Sequence, residues 1–178
     1  MLRDEDGQRC LSRAEPHRFS RYNSCVLRLR PYRKGDFTRL LEIDHACFPE
    51  GIAYPEEEMR SFLAMPGAIT LVAEQEKKKL AGFVIADRFH SRRLSRAMGR
   101  IITIDVLPEA QGTGIGDKML TAAEEKLRES GCDYISLEVA VDNPRALRFY
   151  KKHGYSVLKT LPRYYLGSVD GLLMGKRL

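Results

Sequence analysis

Hydrophobic positions in this chain of 178 residues keep two periods, and the switches between them divide it into elements. Val26 to Arg30 alternates apolar and polar, as an edge strand does. From Gly35-Asp36 to about Cys47, Phe37, Leu40, Leu41 and Ile43 recur near helical spacing. Pro49 to Tyr54 reads as a turn. Pro55-Glu-Glu-Glu opens a second helix, its first turn acidic as the helix dipole favours. Ile69–Glu74 and Leu80–Ala86 flank the lysine run 77–79 as a hairpin, and a strand over 100–107 stops at Pro108. Asp117 to Ser130 is helical and Tyr134–Val139 is a strand. Asn143 caps the next helix, Pro144 takes its first position, and Leu147, Phe149 and Tyr150 form its apolar face before Gly154 ends it. Tyr155–Thr160 and Leu172–Lys176 supply the last strands. The order β-α-α-β-β-β-α-β-α-β-β describes an α/β (α+β) domain over residues 25–178. Residues 1–24 are polar and without period, and read as a flexible extension.

Composition narrows the functional classes. A hydrophobic share of 43% and a charged share of 30% suit a globular domain with a substantial core. No apolar run approaches the ~20 residues of a membrane span, and Asp4-Glu5-Asp6 with several arginines interrupts any secretory leader pattern. Cys10, Cys25, Cys47 and Cys132 are scattered and suit reduced thiols in a cytoplasmic protein. The four histidines show no metal-binding spacing, so no metal is expected. The net charge of +6 gathers at Arg88, Arg92, Arg93, Arg96 and Arg100, read as a solvated loop between strands. It lacks the aromatic interleaving of an RNA-binding sheet, so contact with nucleic acid is expected only indirectly, through ribosomes.

The most constraining stretch is Ile104-Asp-Val-Leu-Pro-Glu-Ala-Gln-Gly-Thr-Gly-Ile-Gly116. Glycines at 112, 114 and 116 let successive N–H groups turn into one concavity ahead of a helix, an anion cradle suited to diphosphate. A Walker loop fails because Asp117 stands where its second glycine belongs. The dinucleotide fingerprint fits Gly112 and Gly114 but also meets Asp117, and it normally lies in the first βα unit. Gln111, Gly114 and Gly116 instead resemble the Gln/Arg-x-x-Gly-x-Gly/Ala loop of the GNAT acetyltransferases. Asn143 through Tyr155 resembles the second signature of that superfamily, Asn-x-x-Ala-x-x-Phe-Tyr-x-x-x-Gly-Phe/Tyr.

The resemblance covers about residues 26–178 and implies the GNAT fold, a mixed and mostly antiparallel central sheet flanked by about four helices. It implies acetyl-CoA as cosubstrate, with Val106, Leu107 and Pro108 along the pantetheine arm. Gln111, Gly112, Thr113, Gly114, Ile115, Gly116 and Asp117 would hold the diphosphate, and Asn143 would touch the coenzyme. The spacing of Glu138, Asn143 and Tyr150 is similar to that of bacterial ribosomal-protein alanine N-acetyltransferases, which implies Glu138 as base and Tyr150 as acid. Glu50, in Phe48-Pro-Glu-Gly-Ile-Ala-Tyr54, is similar to a substrate-facing turn of eukaryotic and archaeal N-terminal acetyltransferases. Tyr164 and Tyr165 look like the peptide-gripping tyrosines of their last hairpin. Asp105 is a rival base, since burial there would raise its pKa.

The implied activity is acetylation of a primary amine by direct attack, with the N-terminal α-amine of a protein such as a ribosomal protein as acceptor. An α-amine with a reference pKa of ~8 loses its proton more easily than lysine at ~10.4, so a modest base suffices. A small-molecule amine or a lysine side chain is the nearest alternative, and a non-catalytic acetyl-CoA-binding module the alternative of another class. A monomer or a homodimer is expected.

Overall fold

The computed structural model describes residues 27–92 and 96–178. The extension 1–24, Cys10, Cys25, Val26 and Arg93 lie outside the described residues. Strands and helices follow in the expected order: β1 (Arg28–Pro31), α1 (Phe37–Cys47), α2 (Glu56–Leu63), β2 (Ala68–Glu74), β3 (Leu80–Ser91), β4 (Arg96–Val106), α3 (Ile115–Glu129), β5 (Tyr134–Ala140), α4 (Pro144–Lys152), β6 (Ser156–Tyr165) and β7 (Val169–Arg177). They build one sheet in the order β1-β2-β3-β4-β5-β7-β6. Every neighbouring pair is antiparallel except β4 and β5.

Strand β3 is the centre of the core. Its residues from Leu80 to Asp87 are buried without alternation, because helices cover both faces of the sheet there. Helix α3 lays Ile115, Met119, Leu120, Ala123 and Leu127 on the sheet as one stripe. Helix α1 presents Phe37, Leu40 and Ile43, and with them a carboxylate, Asp44.

Three departures from the sequence reading bear on the site. The arginine-rich stretch is not a loop: β3 and β4 stay paired out to Ser91 and Arg96, so Arg88, His90, Arg96 and Arg100 stand on a ribbon. Arg88, Phe89 and His90 are all exposed, so the ribbon's sequence carries no two-residue hydrophobic period. Helix α3 starts at Ile115, two residues early. Strand β6 runs on to Tyr165 as an exposed edge, where Pro162 is tolerated beside a register shift between Leu161 and Tyr165.

The feature that positions the site is a short ladder. Strands β4 and β5 pair only at Gly99–Ile135 and Arg100–Ser136, and then part. At that junction a Cβ on residue 99 would come within 2.7 Å of the Leu127 side chain, so glycine is what lets α3 close over it. Beyond the junction the carboxyl ends of the two strands leave a wedge between them, where open α/β sheets commonly take their ligands.

Candidate active site

One wall of the wedge leads into the glycine cradle. Gly112 and Gly114 have φ of +79° and +83°, and an added Cβ at either would meet nothing within 4 Å. Both positions therefore need glycine for the backbone angle, and both face open space. Gly114 is the N-cap of α3, and no side chain caps that helix. Its first N–H groups, which a helix cannot satisfy internally, are left to a ligand. Gly116 faces Phe149 of α4, where a Cβ would fit at 3.5 Å. The polar side chains of the cradle turn away from it: Thr113 donates to the Ala110 carbonyl at 2.7 Å. Gln111 donates to the Val106 carbonyl at 2.8 Å and accepts from Arg145. Asp117 pairs with Lys152 at 2.6 Å and with His153 at 2.9 Å. Hydrogen bonds from Lys152 and then His153 hold its carboxyl below the usual range and draw the negative charge toward α4. What remains is a cradle of backbone donors, which fits the diphosphate of acetyl-CoA.

Of Val106, Leu107 and Pro108, one residue keeps a free donor for a pantetheine amide or a thioester oxygen. Leu107 N–H is used on Ala81 of β3, and its carbonyl accepts from Ala110 N–H. Proline has no N–H. Pairing of Leu107 with Ala81 turns the Val106 groups the other way, toward the wedge. The Val106 carbonyl accepts from Gln111 and, at 3.2 Å, from the Cys47 thiol, which leaves the Val106 N–H.

Glu138 on β5 forms the facing wall. Burial pushes its pKa above the ordinary carboxylate value, and Arg100, across the junction on β4, pulls it back. Tyr150 on α4 is 8% exposed, in edge contact with Phe149 and Tyr155. Burial, then the charges of Asp105, Tyr165 and Tyr54, push its hydroxyl pKa far up, so it carries its proton at any physiological pH. Asn143 caps α4, its Oδ1 accepting Ala146 N–H at 3.0 Å. Only its Nδ2 is left for a coenzyme contact.

The residues expected to face the acceptor lie on the 49–54 turn and the β6–β7 hairpin. Glu50 is exposed on the turn after α1. In that turn Gly51 (φ +85°) faces Leu166, at the tip of the β6–β7 hairpin, where an added Cβ would lie at 3.3 Å. The turn and the hairpin tip thus meet. Tyr54 reaches β4, its hydroxyl 3.5 Å from the Ile102 carbonyl at a bulge in the strand. Tyr165 is half-buried and Tyr164 is 53% exposed, their rings edge to face at 5.1 Å. Burial lifts Tyr165 up to about 12, with contributions from Tyr164 and Glu138.

The structure also brings in residues that sequence reasoning missed. Arg100 acts on both Glu138 and Tyr164, and its Nε is buried without a partner. Asp44 and Cys47, one turn apart on α1, both reach β4; burial lifts the Cys47 thiol to about 12, so it stays protonated. Asp44 had one visible sign, a carboxylate on the apolar stripe with Leu40 and Ile43. Among the described residues no cluster of three or more potential ligands could hold a metal.

The chain's relatives fit this geometry. Residues 37–155 match the model of the Acetyltransferase (GNAT) family. An uncharacterised N-acetyltransferase of Methanocaldococcus jannaschii is 31% identical over 150 residues, which cover 84% of this chain and 90% of that one. The N-alpha-acetyltransferase of Sulfurisphaera tokodaii is 28% identical over 153 residues, 83% and 90% of the two chains. Among solved structures, a chain of the NatC complex bound to Gag peptide and CoA superposes with a TM-score of 0.75 at 25% identity, covering 85% of this chain and 98% of that one. A two-rung junction that opens into a wedge, a cradle of unused N–H groups and these relatives agree: the chain belongs to the GNAT acetyltransferase family, and it is an acyltransferase whose donor is acetyl-CoA.

Proposed function

We propose that this acetyltransferase acts on the N-terminal α-amine of a protein, with ribosomal proteins as a candidate substrate class. The observation that carries the reading is the meeting of the 49–54 turn with the Leu166 hairpin tip, which brings Glu50, Tyr54, Tyr164 and Tyr165 to one mouth. Aromatic hydroxyls and a carboxylate around a narrow entrance suit an extended chain end led in by its ammonium group. The Sulfurisphaera tokodaii relative, an N-alpha-acetyltransferase, supports the same acceptor.

Acetyl-CoA supplies the acetyl thioester and leaves as the free thiol. The residues divide the remaining work. Glu138 takes the proton of the incoming ammonium and passes it to solvent; its raised pKa brings it closer to the amine it must deprotonate. The amine nitrogen then bonds to the acetyl carbon as the carbon–sulfur bond breaks. The Val106 N–H stabilises the charge that develops on the acetyl oxygen. Tyr150 donates its proton to the departing sulfur and recovers one from the amide nitrogen by way of solvent or Glu138. Its burial makes it a weak acid at rest, so transfer waits until negative charge has built up on sulfur.

A panel of peptides with free N-termini, set beside N-terminally blocked lysine peptides and small primary amines, tests the assignment. Acetylation confined to free N-termini is expected. Turnover of blocked lysine peptides or small amines alone would overturn it.

A further inference from the structure

Among the described residues, Asp44 and Asp105 are the carboxyl groups most fully withdrawn from water, at 0% and 1% exposure. Each has one ordinary donor. Asp44 Oδ2 accepts Tyr54 N–H at 2.7 Å, and Asp105 Oδ1 accepts the Thr103 hydroxyl at 2.5 Å. Their other oxygens, Asp44 Oδ1 and Asp105 Oδ2, meet no N–H or hydroxyl donor. The two carboxyl groups lie close enough to act on each other. A carboxylate only accepts, so a bond between two carboxyl groups requires a proton on one of them. The other ionisable groups acting on this cluster are His45, Cys47 and Glu109 near α1, Tyr54 on the turn and Tyr150 on α4. None is a lysine or an arginine, so no fixed cation stands in for the missing proton.

Neither carboxyl is open to bulk water, so the pair is poorly placed to carry protons during turnover. Its position suggests different work. Asp44 holds the backbone of the acceptor turn at Tyr54, and Asp105 directly precedes Val106, whose N–H faces the wedge. Cys47, one turn beyond Asp44, bonds the Val106 carbonyl. One face of α1 is thus fastened to two consecutive residues of the donor strand.

We propose that Asp44 and Asp105, sharing one proton, are a positioning pair that fastens the acceptor turn to the donor strand and so sets where the amine meets the thioester. The inference rests on the reading that the 49–54 turn faces the acceptor. Its pH behaviour follows from the shared proton. Burial raises the Asp105 pKa well above its ordinary value, so the fastening holds below that raised pKa and is lost as pH rises through it.

Two substitutions at one position test the pair. In Asp105→Asn the amide N–H replaces the shared proton and cannot dissociate. In Asp105→Leu nothing bonds Asp44. Asp105→Leu is expected to raise the acceptor KM by about tenfold, with the KM for acetyl-CoA within about twofold of the parent. Asp105→Asn is expected to restore the parent's acceptor KM and to hold it at alkaline pH. Equal losses in both variants, as a catalytic carboxylate would give, overturn the proposal; so does an unchanged acceptor KM in Asp105→Leu. Should Asp105→Leu fail to fold, infrared difference spectra of the parent and Asp105→Asn at neutral pH decide instead. The parent must show a protonated carboxylic acid band that the variant lacks, and its absence overturns the shared proton. This measurement involves no acceptor, so it separates failure of the pair from failure of the N-terminal reading.

Discussion

Helices α3 and α4 both begin at the wedge and begin in opposite ways. Helix α4 is closed: Asn143 bonds Ala146 N–H at 3.0 Å and Pro144 removes a further donor. Helix α3 is left open, with a left-handed glycine at its N-cap and no side chain on its first N–H groups. The open start costs local stability, since those donors would otherwise gain from a cap. That loss makes sense only where a ligand supplies the acceptor atoms. In the proposed mechanism α4 contributes chemistry through a side chain, Tyr150, and α3 contributes binding through its backbone.

If that division is right, mutations in the two helices should separate in kcat and KM. The largest effect is expected from Tyr150→Phe, which removes the hydroxyl and leaves the packing. Steady-state kinetics should show kcat falling about 10²- to 10⁴-fold, with the KM for acetyl-CoA nearly unchanged; a rise in KM alone would erase the distinction between the helices. Next is Gly114→Val, which forces a β-branched residue to φ near +83°. Strain of about 1–3 kcal/mol should appear as an increase in the KM for acetyl-CoA of roughly tenfold, with kcat largely kept at saturation. A smaller effect concerns Glu138, which must be ionised to work as a base. Its pKa lies above the ordinary carboxylate value and Arg100 opposes the rise. The acid limb of kcat/KM should therefore move to higher pH in Arg100→Gln, and an unmoved limb would place the base elsewhere. The smallest is Asn143→Ala. Losing the cap should cost about 1 kcal/mol, seen as a lower melting temperature, with turnover little changed unless Nδ2 also holds the coenzyme.

The two helix starts also differ in how far they were legible. Both were readable in sequence, because a glycine series and an Asn-Pro cap act through the backbone within a few residues. The order of strands and helices was legible for the same reason. The wedge was not, because it depends on where the β4–β5 ladder stops, and that pairing joins strands separated in the chain by the whole of α3. Asp105 stood out as an acid on an apolar strand and suggested a base. Its partnership with Asp44 was not legible, because that polar position on a distant helix reaches Asp105 only through the packing of α1 on β4. Arg100 was hidden in a run of arginines that looked like a loop, because Arg88, Phe89 and His90 on the facing strand are all exposed and leave no alternation to read.

The contacts of Gln111 and Asp117 have a mechanical consequence. Gln111 meets Arg145 at the start of α4, while Asp117 meets Lys152 and His153 at its end. Partly exposed pairs like these add little to stability, but they tie both ends of α4 to the cradle and to the first turn of α3. Those ties hold the helix that carries Tyr150 against the glycine cradle. The β6–β7 tip lies outside those links. On the proposed reading, acceptor preference can drift at that tip while the donor side stays in alignment.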